Sequence, residues 1–286
     1  MDKISCQIRD LIFIGSEMLI RDILKEDKYK DEKRLERFGF KGNAQTDECG
    51  IIQEIFNRIG TTNKTLIEFG VGGEENENNT WYFIKQGWNG LWMDGKKDRV
   101  KYLRNIFAGP IKTNRLKIHC ELVYPDNINE LFQTKGITGE IDMLNIDIDT
   151  IDYWVWEALK PEVLNPRVVI IEYNAKYAPP MEWILPNNKK LTFKKNDSMG
   201  ASLKSLELLG KKKGYSLVGC GLGGANAYFV RNDLLGDKFC APYTAENHYQ
   251  PARYYIIKKS PGRNYDYSGM KNTYGSYVGP NNEFFK

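Results

Sequence analysis

The chain has 286 residues, of which 41% are hydrophobic and 27% charged, and a formal net charge of +4. That balance belongs to an ordinary globular protein and excludes a disordered one. No apolar run approaches the ~20 residues that span a bilayer, and the charge is too mild to imply a nucleic-acid partner. Asp2 and Lys3 stand where a signal peptide would begin its apolar core. The five cysteines (Cys6, Cys49, Cys120, Cys220 and Cys240) are scattered and never form a Cys-x-x-Cys pair. Reduced thiols in a cytoplasm are therefore expected, with neither a zinc site nor a disulfide framework.

Residues 1–58 are predicted to be an N-terminal helical segment. Ile8, Leu11, Ile12, Met18, Leu19 and Ile23 recur at three- and four-residue steps and make one apolar face. The charged stretch from Lys25 to Arg37 reads as a solvated helix face or a linker. Thr46-Asp47-Glu48 then leads into Ile51, Ile52, Ile55 and Phe56, a short amphipathic helix stopping at Gly60.

Residues 59–240 are predicted to form one domain in which strands and helices alternate. Strands are expected at Thr65–Gly70, Gly90–Asp94, Leu116–Glu121, Ile141–Ile148 and Arg167–Tyr173, with helices at Thr80–Gln86, Val100–Phe107, Ile128–Gln133 and Trp154–Leu159 between them. Such alternation gives a parallel sheet covered by helices on both faces, with right-handed crossovers. After a helix at Ser202–Leu209, strands at Tyr215–Cys220 and Asn226–Arg231 are joined by Gly221-Leu222-Gly223-Gly224. That loop is too short for a crossover helix, so the pair must be antiparallel. The predicted class is α/β, a Rossmann-like, mostly parallel seven-stranded sheet with an antiparallel last strand. Residues 241–286 are a C-terminal extension; from 251 onward it holds six Lys/Arg against two Asp/Glu, and six tyrosines.

Ligands of open parallel sheets bind beyond the carboxyl ends of the strands. The first strand ends in Glu68-Phe69-Gly70-Val71-Gly72-Gly73, a glycine turn that lets a ligand lie against bare backbone. Glu74, Glu75 and Glu77 follow, placing negative charge where a dinucleotide would set its pyrophosphate. This disfavours an NAD-dependent oxidoreductase and suits a ligand bearing positive charge, such as S-adenosylmethionine (SAM). Asp94 ends the second strand, a position for a ribose-binding acid or, more simply, a turn residue. His119-Cys120-Glu121 end the third, where an adenine would lie. The fourth ends in Asn145-Ile146-Asp147-Ile148-Asp149, with Asp152 beyond, and the fifth in Glu172-Tyr173-Asn174. Asp147, Glu172 and Asn174 are candidate ligands of a hard cation, Mg or Mn. Asp147, Asp149 and His248 are candidate bases for a hydroxyl acceptor, the carboxylates competing with a plain helix-capping role.

Six segments fall in a telling order: Gln45-Thr46-Asp47-Glu48-Cys49-Gly50-Ile51-Ile52, Ile67-Glu68-Phe69-Gly70, Asn79-Thr80, Gly87-Trp88-Asn89-Gly90-Leu91, Asn145-Ile146-Asp147-Ile148-Asp149 with Asp152-Tyr153, and Val169-Ile170-Ile171-Glu172-Tyr173-Asn174. Together, from about residue 40 to 231, they resemble FkbM-type SAM-dependent methyltransferases of bacterial surface-polysaccharide (capsule and lipopolysaccharide) clusters. The resemblance implies a SAM methyltransferase fold, SAM as donor and sugar hydroxyls as acceptors. It places Gln45 and Glu48 near the methionine end of SAM, Glu68, Gly70 and Gly72 against its backbone, Asp94 on the ribose, Cys120 and Glu121 near the adenine, and Asp147 at the cofactor edge. Cys49, where relatives carry aspartate, and Thr150-Ile151, where they carry Gly-Asn, depart from the pattern.

The expected function is methyl transfer to a hydroxyl of a sugar, nucleotide-linked sugar or related precursor. Lys258, Lys259 and Arg263 of the extension are candidates for a phosphate on the acceptor, with its tyrosines stacking on sugar or base; an oligomer contact is the rival role for that segment. The competing function is a non-catalytic scaffold of the same fold within a biosynthetic complex.

Overall fold

The computed structural model describes residues 3–72, 78–190 and 198–253, with Ile256 and the short paired strands Tyr277–Val278 and Phe284–Phe285. Seven strands form the main sheet: β1 (Thr65–Phe69), β2 (Asn89–Asp94), β3 (Leu116–Cys120), β4 (Gly139–Ile146), β5 (Leu164–Glu172), β6 (Tyr215–Cys220) and β7 (Asn226–Arg231). Their spatial order is β3-β2-β1-β4-β5-β7-β6. The β1, β2, β3, β4 and β5 contacts are parallel, and β7 runs antiparallel to both β5 and β6. This is the expected sheet: β7 slots between β5 and β6 as the one reversed strand, giving the Rossmann-like methyltransferase order.

Side-chain alternation explains why helices cover both faces. Ile67, Phe69, Leu91, Met93, Leu144, Ile146, Val169 and Ile171 point to one face and share a core with Phe132, Val155, Trp156 and Leu206. These come from α6 (Ile128–Thr134), α7 (Asp152–Ala158) and α8 (Leu203–Lys212). Leu66, Trp92, Met143, Val168 and Ile170 point the other way, onto Ile51, Ile55, Phe83 and Leu103. Those side chains belong to α2 (Glu48–Ile59), α3 (Trp81–Lys85) and α4 (Lys97–Ile106). The period of two along each strand, with apolar residues at both phases, dictates the three layers.

Element boundaries differ from expectation by a few residues. Strand β4 begins at Gly139 and stops at Ile146, so Asp147 and Asp149 lie past its end rather than inside it. Helix α7 starts at Asp152. Helix α1 spans Lys3–Ile23. Residues 25–37, expected as a solvated face or linker, instead carry two single-turn 3-10 helices and bury Tyr29, Arg34, Leu35 and Glu36. Here charge pattern misled, because Arg34 and Glu36 are buried as a pair with Nη1 3.5 Å from Oε1. The remaining helices are α5 (Ala108–Lys112) and α9 (Ala245–His248).

One buried pair anchors the amino end of the sheet. Asp142 of β4 accepts hydrogen bonds from the backbone N–H groups of Thr62, Asn63 and Lys64, at 2.7–3.0 Å. Arg167 of β5 donates to its Oδ1 at 2.6 Å and also to the carbonyls of Ile59 and Gly60, which end α2. Burial alone would raise the Asp142 pKa, but Arg167 and the three N–H groups outweigh it and hold the carboxyl below 3.8. The folded pKa therefore lies below the unfolded one. The stability from this group is present above about pH 4 and is lost as pH falls through the lowered value. Arg167→Met is expected to cost about 3 kcal/mol in urea unfolding, because it leaves a buried carboxylate without its cation. Its acid unfolding should begin at higher pH than in the wild type; unchanged stability would refute the anchor.

Candidate active site

The glycine turn after β1 is shaped by the protein itself. Gly70 has φ +68°, and a Cβ built there would lie 1.6 Å from the carbonyl oxygen of Asp147. The register explains the crowding: Phe69 pairs with Ile146, so the next residues of β1 and β4 leave the sheet one against the other. The bare backbone expected to face a ligand faces the Asp147 peptide as well. Gly72 also has a positive φ, +73°. Glu74, Glu75 and Glu77, expected to discriminate between cofactors, lie outside the described residues.

One step back along β1, Glu68 is 1% exposed. Its carboxylate accepts from Asn79 N (3.2 Å), Thr80 Oγ1 (2.5 Å) and Asn145 Nδ2 (3.0 Å). Asn79 Nδ2 donates to Asn145 Oδ1, and Trp92 Nε1 to Thr80 Oγ1. The acid therefore ties β1, β4, β2 and the start of α3 together. Burial pushes its pKa up to about 8 against these hydrogen bonds.

Past the ends of β4 and β5, Asp147, Asp149 and Glu172 each offer a carboxylate oxygen, all within 4.8 Å of one another. Asp149 is exposed and holds a left-handed backbone with φ +66°, a conformation that aspartate tolerates better than most residues and that recurs at functional sites. Asp152 holds the turn by accepting from Ile148 N at 2.8 Å, while its Oδ2 is buried without a partner, as are Glu172 Oε2 and Asn226 Oδ1. Burial first, then Asp149, Asp152, Glu68 and Glu48, raise the pKa of Asp147 well above 3.8. Glu172 is raised by burial and then by Asp147, Asp152 and Asp149, and Asp152 reaches about 6, mainly through burial. Among the described residues, no ion pair joins Glu68, Asp147, Asp152 or Glu172 to a lysine or arginine. The chemistry of this set, crowded carboxylate oxygens, is that of a hard-cation site or a proton acceptor.

Two expected members have local partners. Asn174 is buried with Nδ2 on the Met199 carbonyl and Oδ1 accepting from Lys176 N, so it shapes the loop after β5. His248, expected as a base, is 1% exposed with Nε2 3.1 Å from the Cys240 carbonyl. Burial, aided by Arg34, lowers its pKa to about 3, so it is a packed neutral imidazole that does not accept a proton near neutrality.

The other expected cofactor residues occupy the same edge with partners of their own. Asp94 is buried, accepts from Lys96 N at 2.8 Å and pairs with Arg99 at 3.1 Å, so it fills the turn role. Cys120 is half-buried and Glu121 bridges to Lys135 at 2.8 Å. Glu48 folds back on Thr46 N at 2.6 Å and Thr46 Oγ1 at 3.0 Å, and accepts from Asn226 Nδ2 at 3.3 Å. Asn226 pairs across the sheet with Glu172, so the Gln45–Glu48 turn is linked to the acid cluster. Gln45 itself lines a cavity on the α1 side. Sequence reasoning overlooked Asn226, whose only signal was its place at the start of the reversed strand. Lys258, Lys259 and Arg263 lie outside the described residues.

No family model matches the chain, and no curated protein matches it significantly. Solved structures do resemble it. A caffeoyl-CoA O-methyltransferase candidate from Staphylococcus aureus aligns over 63% of this chain and 81% of its own, with TM-score 0.44 and 14% identity. The bifunctional kinase–methyltransferase WbdD aligns over 63% of this chain at TM-score 0.40 and 13% identity, with only 39% of its own length covered. A SAM-dependent methyltransferase from Clostridium acetobutylicum aligns over 63% of this chain and 89% of its own, with TM-score 0.39 and 9% identity. The fold assignment stands on the strand order and register of this chain's own sheet.

Because Glu68 has a folded pKa of about 8 against an ordinary value of 4.5, the folded state binds a proton that the unfolded state has already released between those values. Its contribution to stability is full below about pH 4.5 and is lost as pH rises toward 8. Glu68→Gln should flatten that decline in melting temperature while leaving the fold intact. A pH profile identical to the wild type would show that Glu68 is ionised throughout.

Proposed function

We propose that the protein is a SAM-dependent O-methyltransferase acting on a hydroxyl of a sugar, nucleotide-linked sugar or related surface-polysaccharide precursor in the cytoplasm. The observation that carries this reading is the meeting of Asp147, Asp149 and Glu172 just past the two central strands, beside the Gly70 turn and Glu68. Acids at these positions in a sheet of this order serve a small-molecule reaction at the carboxyl edge. The FkbM-type motifs, several of which fall on this edge, favour SAM over a dinucleotide.

SAM would supply an electrophilic methyl group on a sulfonium, displaced in line by the acceptor oxygen. The chain's part is then to hold, orient and deprotonate. Backbone at Gly70–Gly72 and the carboxylates of Asp94 and Glu48 offer acceptors for the amino and ribose groups of such a ligand. Asp149, exposed at the rim of the cluster, is positioned to orient the acceptor hydroxyl and take its proton. Asp147 and Glu172, with raised pKa values, are the second and third oxygen donors around that point. Spacings up to 4.8 Å match opposite ligands of an ion bound at about 2.4 Å, and shorter ones match neighbouring ligands. The oxygen set thus fits a divalent cation held by Asp147, Asp149 and Glu172, which would lower the pKa of the acceptor hydroxyl. Most of the rate should come from positioning.

SAM is expected to bind with a dissociation constant on the order of micromolar, read by calorimetry; no binding, and none co-purifying, would sink the proposal. Asp149→Asn should lower kcat about 100-fold while changing SAM affinity by less than about threefold. Magnesium or manganese binding should release protons, since the raised carboxyls must ionise to ligate. Calorimetry in buffers of different ionisation enthalpy reads that release without turnover. Heats independent of buffer would remove the cation from the site.

A further inference from the structure

A second concavity lies on the other side of the Gln45–Glu48 turn. It encloses about 870 Å³ between α1, residues 36–47 and the β6–β7 loop, a volume in the range of small-molecule sites. One wall is apolar: Phe13, Ile14 and Met18 of α1, with Leu24 just past its end, face Phe40 and Leu222. Ile14 and Met18 stay 57% and 63% exposed, so this face of α1 is covered by no part of the described chain. The other wall holds two carboxylates, Glu36 at 1% and Asp47 at 8% exposure.

These acids differ in how far the protein satisfies them. Asp47 accepts from Leu222 N at 2.9 Å and from Thr46 Oγ1 at 2.9 Å. Glu36 Oε1 accepts from Gln250 Nε2 at 3.0 Å and lies 3.5 Å from Arg34 Nη1, but Oε2 is buried with no donor. A buried carboxylate oxygen without a donor costs a desolvation penalty that a ligand hydroxyl would offset. Arg21, Lys41 and Glu17 also line the cavity, leaving it without an excess of cations to select a phosphate.

The cavity is linked to the reaction edge through a relay of hydrogen bonds. Thr46 lines it and hydrogen-bonds Glu48, Glu48 accepts from Asn226, and Asn226 pairs with Glu172 of the acid cluster. A molecule seated here is separated from the cluster by one turn of chain.

We propose that this cavity is a second ligand site and that its ligand is an amphiphile: a neutral polyhydroxyl head on Glu36 and Asp47, joined to an apolar body lying along Ile14 and Met18 of α1. The binding chemistry rests on the cavity alone and is independent of the methyl-transfer reading. The sugar alone would leave the α1 wall wet, and an alkyl chain alone would leave Glu36 Oε2 unpaired.

The test is calorimetry on the full chain with octyl β-glucoside below its micellar concentration, beside glucose and octyl phosphate. Octyl glucoside should bind saturably, with glucose at least about tenfold weaker, since burying apolar surface on Met18 and Ile14 is worth a factor of that order. Met18→Lys, at an exposed position, should weaken octyl glucoside about tenfold without changing the melting temperature or SAM affinity. Glu36→Gln should weaken it severalfold and reduce the preference over octyl phosphate. Absence of saturable binding, equal affinity for glucose, tighter binding of octyl phosphate, or indifference to Met18→Lys would each overturn the proposal. SAM binding without octyl glucoside binding leaves methyl transfer standing and removes the cavity. Octyl glucoside binding without SAM binding does the reverse.

Discussion

The close approach of β1 and β4 where they leave the sheet is the constraint on which the carboxyl edge depends. Parallel pairing of Phe69 with Ile146 brings the Gly70 backbone onto the Asp147 carbonyl, with no room for a Cβ. That contact fixes where Asp147 emerges, and so where Asp149 and the Asp152 cap of the turn can lie. The left-handed conformation of Asp149 follows from the same tight exit. Glu68 and Asn145, opposite each other one residue earlier, lock the two strands from beneath.

The electrostatic character of the edge follows from this geometry. A sheet covered on both faces can place acids at its strand ends only by burying them, and burial raises the pKa of each. Repulsion from neighbouring carboxylates raises Asp147 and Glu172 further. The amino edge shows the opposite solution, in which Asp142 is matched by Arg167 and three backbone donors and stays ionised. One end of the sheet is thus electrostatically satisfied and the other is not. Unsatisfied charge of this kind marks where a ligand, cation or proton belongs.

Much of the fold was legible in the residues. Runs such as Val168–Ile171, apolar at both phases, can only be strands buried on two faces, and the short Gly221–Gly224 loop forces β6 and β7 to be antiparallel. The acid cluster was legible in part, because strand ends in a parallel sheet share one edge whatever the loops do. His248 was misplaced because its side chain is taken up by local packing, buried against the Cys240 carbonyl, and Asn174 likewise carries a loop contact of its own on the Met199 carbonyl. Position along a strand predicts the edge a residue reaches; it does not predict which hydrogen bond claims its side chain.

The sequence alone determined the layer architecture, the strand directions and the set of acids delivered to one edge, since these follow from periodicity and loop length, which are local properties. Tertiary structure decided the rest. It made Gly70 a seat for the Asp147 carbonyl, buried Arg34 and Glu36 of the charged 25–37 stretch, and opened a cavity between α1 and Glu36. Each of these depends on desolvation and on contacts between residues far apart in the chain, and no local pattern encodes either.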